Sequence, residues 1–409
     1  MKSVKLFLAA IILIILASCT KTETIYQSAT DPQIHGNLQT MLDQILTGYQ
    51  LKYPGYPGGL AMKVVSKQGS WFVSTGMGTG VTGGVHFRAA SNTKTFTSTA
   101  ILLLAQQGKL KLDAKIIDTI PGTEMTYVPL TADYRIPFRD IITIRELLQH
   151  RAGVFDVSNN PIPDTVSVPV PYKGQNYLEY EMLKEMTHTF TFDELVGVVA
   201  TCRLYDFLPG AAYKYSNTGY SILGKIIERV SGQGYPQFVM EHIVQPMGLT
   251  GTTFPYLGSD RQLPPPFAPG YIYKSDTTLE VTISNISANV AEGNMITTPD
   301  DLSKFLRLSI QGNGVLSPYW INHVMLSPPA GSTPGSWYGC GITYALNLGF
   351  GHSGAHEGYL SRMVTDPETD FTAVVFTNAW NSTSGINSIG DQLNFLLDEA
   401  CYRAKVIVK

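Results

Sequence analysis

The chain carries little charge, and it lacks several signatures that identify enzyme classes. Charged residues make up 15% of its 409 residues, the net charge is −3, and no tract rich in lysine or arginine occurs. This composition provides no electrostatic footprint for nucleic acid, so we expect no nucleic-acid partner. The motifs H-E-x-x-H and G-x-S-x-G are also absent from the sequence. Their absence disfavours a zinc metallopeptidase and an α/β-hydrolase.

Cysteine is scarce, and its spacing excludes the common metal-binding patterns. The chain has 4 cysteines, with no C-x-x-C pair and no zinc-finger spacing. Three of them, Cys202, Cys340 and Cys401, lie far apart in the sequence. Two of these three can form a disulfide only if the third thiol stays unpaired. A buried free thiol is the expected state of each.

No apolar run near the N-terminus is long enough to span a bilayer as a helix. Lys2 and Lys5 precede an apolar segment at residues 6–17, which is shorter than the roughly 20 residues that a span requires. It ends in Leu16-Ala17-Ser18-Cys19, which resembles a bacterial lipobox. The resemblance implies cleavage before Cys19 and lipidation of its thiol, whereas an ordinary signal peptide is the alternative.

We therefore predict a signal peptide at 1–18 and a polar tether at 19–35. The mature protein would be a lipid-anchored lipoprotein of the bacterial cell envelope, periplasmic or exposed at the surface. The enzyme-like domain would follow at 36–400.

The order of the predicted elements indicates an α+β fold. Helical spacing of apolar residues predicts helices at 37–50, in several parts of 100–330, and at 384–402. Alternating or β-branched residues predict strands at 60–66, 71–75, 341–346, 359–365 and 371–377. The simplest packing is a central antiparallel sheet, flanked by the first and last helices. A mostly helical part, about 99–334, is then inserted between sheet parts at about 36–98 and 335–409.

Residues 78–83 match G-x-G-x-x-G, the glycine pattern of dinucleotide-binding folds. That pattern is informative only where a helix opens on it within a βαβ unit. Here an extended segment follows it and no βαβ unit surrounds it. We interpret the segment as a loop.

A nucleophile and a base are placed together by Ser91-Asn92-Thr93-Lys94, just before a long apolar run. If that run is helical, the Lys94 amine lies on the same face as the Ser91 hydroxyl, three residues away. A serine needs a neighbour to take its proton, and a desolvated lysine can do so. The pattern alone is weak, because Ser18 and Lys21 repeat it across the predicted cleavage site.

Two further short motifs follow in the chain. Tyr215-Ser216-Asn217 precedes a predicted helix, where an asparagine is often only a cap. Gly351-His352-Ser353-Gly354-Ala355 is rich in small residues and lies between strand-like segments, so it can approach a substrate backbone or offer an N–H to an oxyanion. The second H-x-G, at 356–358, leaves less room for a turn before the next strand.

In this order, Ser91-x-x-Lys94, Tyr215-x-Asn217 and His352-x-Gly354 resemble the class C β-lactamase and D-Ala-D-Ala carboxypeptidase superfamily of active-site serine enzymes. Three longer segments resemble it as well, at 107–113, 142–150 and 291–302. The resemblance covers nearly all of 36–400. It implies a β-lactamase/transpeptidase-like fold and a serine hydrolase that works through an acyl-enzyme, without metal or cofactor.

The resemblance also implies a role for each site residue. Ser91 would be acylated, Lys94 would assist its deprotonation, and Tyr215 would carry the proton to the leaving group. The substrate would be bound by Asn217, His352, Ser353 and Gly354, and the backbone N–H groups of Ser91 and Ala355 would form the oxyanion hole. β-Lactamases of this class usually carry lysine at the position of His352. A histidine there is more similar to the carboxypeptidase and esterase branches.

The expected substrates are D-amino-acid peptides or related amides and esters, with a penicillin-binding, carboxypeptidase-like activity in first place. A broad-specificity esterase and a β-lactamase are alternatives that use the same acyl chemistry. A non-catalytic penicillin-binding receptor is an alternative of another class. We expect substrate specificity to depend on the long loops at 156–180 and 254–275.

Overall fold

The computed structural model describes residues 31–275, 277–383 and 388–409. The predicted signal peptide, Cys19 and most of the predicted tether lie outside the described residues. Within the described ranges, none of the helices is both long enough and apolar enough to cross a bilayer.

Twelve strands occur in the described part of the chain. They are β1 (Leu60–Ser66), β2 (Gly69–Thr75), β3 (Phe87–Arg88), β4 (Tyr271–Lys274), β5 (Thr277–Glu280), β6 (Ile296–Thr297), β7 (Ser336–Tyr338), β8 (Thr343–Ala345), β9 (Gly349–His356), β10 (Tyr359–Asp366), β11 (Phe371–Thr377) and β12 (Ala379–Asn381). Seven of them form one antiparallel sheet in the order β2-β1-β11-β10-β9-β8-β7. The predicted joining of early and late strands is therefore confirmed, with Leu60 of β1 opposite Thr377 of β11.

The helices lie mainly between the two strand regions of the sequence. They are α1 (Pro32–Lys52), α2 (Thr93–Gln106), α3 (Ile144–Leu148), α4 (Tyr177–Lys184), α5 (Phe192–Cys202), α6 (Asn217–Ser231), α7 (Tyr235–Val239), α8 (Pro299–Ile310), α9 (Pro318–Trp320), α10 (Ser388–Gln392) and α11 (Glu399–Ile407). Short π-helical segments follow α7 and α9 and join α10 to α11.

The sheet separates two hydrophobic cores. One lies between the sheet and the terminal helices α1 and α11, and it includes Leu42, Val375 and Leu397. The other lies between the sheet and the inserted helices, with Phe96 of α2 stacked on Phe305 of α8 at 3.6 Å between ring centroids. This arrangement confirms the predicted α+β architecture. It also places the start of α2 at the border between the sheet and the helical part.

Two predicted helix ends differ from the structure. Helix α1 begins at Pro32, and Asp31 caps it by accepting from the N–H groups of Gln33 and Ile34. The last residues of the predicted tether are thus helical, because an aspartate followed by proline starts a helix before the apolar pattern begins. The C-terminal helical region extends to Ile407 instead of ending at 402, and residues 384–387 lie outside the described residues.

The strand prediction at 341–346 is too long. Gly341 has a φ of 71° and belongs to a turn, so that β8 spans only Thr343–Ala345. Cys202, Cys340 and Cys401 are all buried free thiols, as the default interpretation expects.

Candidate active site

A strained turn presents Ser91 to solvent at the start of α2. Residues 90–92 form a single 3₁₀ turn, and Ala90 has a φ of 48°, a conformation that costs an L-residue free energy and is typical of functional sites. The side-chain amide of Asn92 holds the turn by donating to the Ala89 carbonyl at 2.8 Å and to the Ser361 Oγ atom of β10 at 2.8 Å. The nucleophile candidate is therefore anchored to the central sheet.

The Lys94 amine reaches Ser91 as predicted, and it is completely buried. Its Nζ atom lies 3.2 Å from Ser91 Oγ, 2.7 Å from Asn217 Oδ1 and 2.8 Å from the Glu292 carbonyl oxygen. The Glu292 carboxylate oxygen Oε2 lies at 3.2 Å. Four acceptors thus surround a group that has at most three N–H bonds to donate.

Tyr215 lies beside this amine, at the N-terminus of α6. Its ring centroid is 4.8 Å from Lys94 Nζ, and its hydroxyl oxygen is buried without a regular hydrogen bond to any described residue. Burial raises the pKa of the Tyr215 phenol well above 10, and the adjacent Ser91 hydroxyl only partly opposes that rise. The phenol is therefore protonated at neutral pH and can donate a proton.

The cap of α6 is Ser216, not Asn217. Ser216 Oγ accepts from the Gly219 N–H at 3.2 Å, which leaves the Asn217 amide oxygen free to accept from Lys94. The alternative in which Asn217 is only a capping residue is thereby wrong. Its observed partner is the lysine.

Glu292 is a site residue to which the sequence assigned no role. It follows Ala291, a residue with a φ of 68°, and its side chain is only 2% exposed. Asn289 Nδ2 donates to its Oε1 atom at 2.8 Å, while Oε2 faces Lys94. In the sequence, the segment 291–302 carries only a family resemblance, because a single glutamate in a glycine-containing segment gives no signal of its own.

Burial and charge act in opposite directions on the Lys94–Glu292 pair. Burial lowers the pKa of Lys94, and the carboxylate of Glu292 opposes that change. Burial likewise raises the pKa of Glu292, and the ammonium of Lys94 opposes that rise. Each charge thus supports the other in a place where neither would persist alone.

Strand β9 supplies the third motif and forms the opposite wall. His352 is buried, and its Nδ1 atom lies 2.6 Å from the Ser353 carbonyl oxygen, which can only accept. Nδ1 therefore carries the proton, and Nε2 accepts from the Tyr338 hydroxyl at 2.9 Å. Burial lowers the pKa of His352 to about 3, so the imidazole is neutral at physiological pH.

Ser353 and Ala355 both line the cavity beside Ser91. Gly354, for which we predicted substrate contact, is absent from the cavity wall in the described ranges. A Cβ atom at this position would overlap the Ala89 carbonyl oxygen and lie 2.6 Å from Ser361 Oγ. The glycine therefore allows β9 to pack against the nucleophile turn.

A buried histidine packs against Tyr215 and Tyr338, and the sequence did not predict its contribution to the site. His150, with a φ of 54°, accepts from the Ser216 N–H at 3.1 Å through Nδ1. Its ring lies 4.2 Å from the Tyr215 ring and 4.6 Å from the Tyr338 ring, measured between centroids. Burial lowers the pKa of His150 well below 6.5, so this ring is neutral and orients Tyr215 by packing.

These groups meet in a cavity of about 490 Å³. It is lined by Ala90, Ser91, Asn159, Tyr215, Asn217, Asn289, Glu292, Gly293, His352, Ser353, Ala355, His356 and Ile389. Of the two loops expected to set specificity, the one at 156–180 contributes Asn159 to the lining. The side-chain amide of Asn159 donates to Asp156 Oδ2 at 2.8 Å. The lining from the described residues contains one carboxylate and neither a lysine nor an arginine.

Comparisons with known proteins identify the family and several relatives of this chain. The family model Beta-lactamase matches residues 53–389. Protein flp of Staphylococcus aureus (strain MW2) is 26% identical over 295 residues, which cover 71% of this chain and 52% of that protein. The putative penicillin-binding protein PbpX of Bacillus subtilis (strain 168) is 24% identical over 313 residues, covering 76% and 67% of the two chains. The chain thus spans about half the length of the first of these relatives.

Solved structures share the fold. A D-stereospecific amidohydrolase from Streptomyces sp. is 28% identical, with a TM-score of 0.68 and coverage of 84% of this chain and 94% of that one. A D-amino acid amidase from Ochrobactrum anthropi SV3 is 23% identical, with a TM-score of 0.69 and coverage of 92% and 100%. The chain belongs to the β-lactamase family, within the superfamily of serine hydrolases that includes amidases and penicillin-binding proteins.

Proposed function

We propose that the protein is a serine hydrolase that cleaves D-amino-acid amides, short D-amino-acid peptides and related esters through an acyl-enzyme. One observation carries the proposal: behind the cavity wall, the buried Lys94 Nζ atom is within hydrogen-bond distance of Ser91 Oγ, which lines the cavity, while the Tyr215 ring lies against the same amine. This is the arrangement that an activated nucleophile requires.

In the proposed reaction, Ser91 Oγ attacks the substrate carbonyl as its proton passes to the neutral amine of Lys94. The carbonyl oxygen then carries negative charge at the place where the backbone of Ser91 and Ala355 borders the cavity. Tyr215 donates its proton to the leaving nitrogen, and the C–N bond breaks. The Lys94 ammonium then returns a proton to the Tyr215 phenolate. Water attacks the acyl-enzyme carbonyl and gives a proton to the neutral Lys94 amine, the bond between Ser91 Oγ and the acyl carbon breaks, and Oγ takes that proton from Lys94.

The charge of the cavity favours an amidase over a carboxypeptidase or a β-lactamase. Both of the latter act on substrates with a carboxylate near the scissile bond. The described lining contains no lysine or arginine that could pair with that carboxylate. The neutral imidazole of His352 cannot replace them, because both of its nitrogens are already hydrogen-bonded to Tyr338 and Ser353. Glu292 would also repel it. The carboxypeptidase is therefore our second candidate, and the D-amino acid amidase and D-stereospecific amidohydrolase among the similar structures support this order.

The test uses labelling and hydrolysis with the full chain and its Ser91→Ala variant. A fluorophosphonate and a fluorescent penicillin report acylation, and D- and L-amino-acid amides, a D-dipeptide and a neutral ester report turnover. We expect fluorophosphonate labelling and D-amide hydrolysis that Ser91→Ala abolishes. Faster hydrolysis of a D-dipeptide with a free carboxylate than of the D-amino-acid amides would favour the carboxypeptidase. Rapid penicillin turnover would favour the β-lactamase, and hydrolysis of the ester alone an esterase.

Absence of both labelling and turnover in the wild-type protein would contradict the proposal and favour a non-catalytic receptor. Circular dichroism of both proteins provides the control, because Ser91 is only half-buried and its replacement by alanine should leave the fold intact.

We also propose that Cys19 is lipidated and anchors the protein in the cell envelope. The support is the Leu16-Ala17-Ser18-Cys19 sequence after a short apolar segment. Mass spectrometry of the protein expressed in a bacterial host tests this. A diacylglyceryl-modified N-terminal cysteine that is absent in Cys19→Ala is expected, whereas cleavage elsewhere in both proteins would contradict the proposal.

A further inference from the structure

We infer that Glu292 is a positioning residue that holds Lys94 as an ammonium in the resting protein and thereby sets the pH above which Ser91 becomes reactive. The inference rests on the proposed function of the site. It concerns a residue whose side chain contacts both the catalytic lysine and the cavity.

The hydrogen-bond geometry around Nζ favours the protonated amine. Asn217 Oδ1 at 2.7 Å and the Glu292 carbonyl oxygen at 2.8 Å are both acceptors, so two N–H bonds are committed to them. The third N–H of an ammonium points towards Ser91 Oγ and Glu292 Oε2, both at 3.2 Å. All three protons are then used.

A neutral amine would direct its lone pair to that same side. A lone pair directed at Ser91 Oγ is productive, because the hydroxyl can donate its proton to the nitrogen. A lone pair directed at the ionised carboxylate of Glu292 is unfavourable, because it faces a lone pair of the carboxylate oxygen. An anionic Glu292 therefore favours the ammonium form of Lys94. The neutral amine, which can accept the Ser91 proton, forms only above the pH at which this ammonium loses its proton.

The remaining groups that face Lys94 do not replace this effect. The rings of Tyr215 and Tyr220 lie 4.8 and 5.4 Å from Nζ and also attract a cation, but replacing Glu292 does not change these rings. The neutral imidazoles of His150 and His352 carry no charge at physiological pH, and the pKa of each is depressed partly by Lys94 itself. Asp156 acts from a greater distance, and it is held by Ser158 and Asn159.

The proton balance of the step is simple. Lys94 loses one proton to solvent, and its Nζ lone pair then takes the Ser91 hydroxyl proton as the Oγ–carbonyl bond forms. The leaving nitrogen takes its proton from Tyr215 as the C–N bond breaks, and the Lys94 ammonium then returns a proton to the Tyr215 phenolate. Glu292 takes part only by setting how readily the first proton leaves.

The test is the pH profile of acylation by a fluorophosphonate, a probe that needs no knowledge of the natural substrate. Glu292→Gln keeps the size and an acceptor for Lys94 but removes the negative charge. We expect the acid limb of the profile to move to lower pH by roughly one to three units, so that the variant reacts faster than the wild type below the wild-type limb. Glu292→Asp, which keeps the charge, should return the limb towards the wild-type position.

Glu181→Gln is the matched control, since it makes the same chemical change in a surface ion pair with Lys184. The acid limb of the pH profile of Glu181→Gln should coincide with that of the wild type. An unmoved limb in Glu292→Gln, or a rate lowered equally at every pH, would overturn the inference and leave Glu292 a structural residue.

A second measurement applies even if Glu292→Gln does not fold. Nitrogen-15 NMR of Lys94 Nζ in the wild-type protein, assigned with a Lys94→Met variant, reports its protonation directly. We expect an ammonium at pH 7, and a neutral amine there would refute the inference. A wild-type protein that carries the ammonium but is not acylated would instead contradict only the proposed function.

Discussion

The Oδ1 atom of Asn217 lies 2.7 Å from the Nζ atom of Lys94, although 123 residues separate them in the chain. The contact exists because the N-termini of α2 and α6 meet beside the cavity, and because Ser216 takes the capping role at α6. Asn217, Glu292 and Ser91 together hold the amine in one position. Preorganisation of this kind lets a lysine act on a single hydroxyl.

Replacement of Lys94 by methionine should remove acylation while most of the packing remains. We expect the rate of fluorophosphonate labelling to fall by about 10²–10⁴-fold, the usual contribution of a positioned base. The free energy of unfolding should also fall by about 3–5 kcal/mol, because the buried Glu292 carboxylate loses its cation. Urea unfolding and labelling kinetics measure the two effects.

The double variant Lys94→Met with Glu292→Gln separates stability from chemistry. It should recover part of the lost stability, since no unpaired carboxylate is left buried, but none of the labelling. Recovery of labelling in the double variant would mean that Lys94 is not the base.

Replacement of Tyr215 by phenylalanine tests which step needs its hydroxyl. The ring keeps its contacts with His150 and Lys94, and the lost hydroxyl leaves no described group without a partner. Stability should therefore change by less than about 1 kcal/mol. Hydrolysis of an amide should slow by about 10²–10³-fold, because the leaving nitrogen needs a proton.

Hydrolysis of a p-nitrophenyl ester by the same Tyr215→Phe variant should slow less than about tenfold, since that leaving group departs as an anion. Steady-state kinetics on both substrates give the comparison. Equal losses on the amide and the ester would show that the hydroxyl does not protonate the leaving group.

Stability should fall as the pH is lowered through the region where an unfolded histidine titrates. The pKa of His352 is about 3 in the folded protein and 6.5 in the reference state, so below pH 6.5 the unfolded chain binds a proton that the folded one does not. The free energy of unfolding should therefore decrease by about 1.4 kcal/mol per pH unit for this residue, from about pH 6.5 down to about pH 3. Urea unfolding at pH 7.5, 6 and 5 measures the slope.

The His352→Gln variant should show a shallower slope by that amount, even if it is less stable at every pH. His35→Asn, at an exposed position on α1, controls for the removal of a histidine as such. An unchanged slope in His352→Gln would mean that the folded imidazole titrates normally.

Replacement of Gly354 by alanine should displace β9 from the nucleophile turn. The added Cβ atom would overlap the Ala89 carbonyl oxygen, so the free energy of unfolding should fall by about 1–3 kcal/mol and acylation should slow. Gly84→Ala is the matched control, because its Cβ atom would meet nothing nearer than 3.7 Å. If Gly354→Ala equals wild type in labelling and in urea unfolding, close packing at this glycine is not required.

Local sequence patterns determined several elements directly. The apolar and β-branched residues at 371–377 define β11 with both ends as predicted, and Thr298 with Pro299 starts α8 through a side-chain cap. The Ser91–Lys94 pair follows from helical spacing at the start of α2. In each case the interactions involved join residues close together in the chain, so the sequence suffices.

The chemistry of the cavity depended on the tertiary structure. The segment 291–302 gave no reason to single out Glu292, whose role depends on contact with a lysine 198 residues away. The neutral state of His352 follows from its burial, and the partner of its Nε2 atom is Tyr338, which the structure places in a different strand, β7. Hydrogen bonds and burial between distant segments set protonation states, and only the folded chain specifies which distant segments meet.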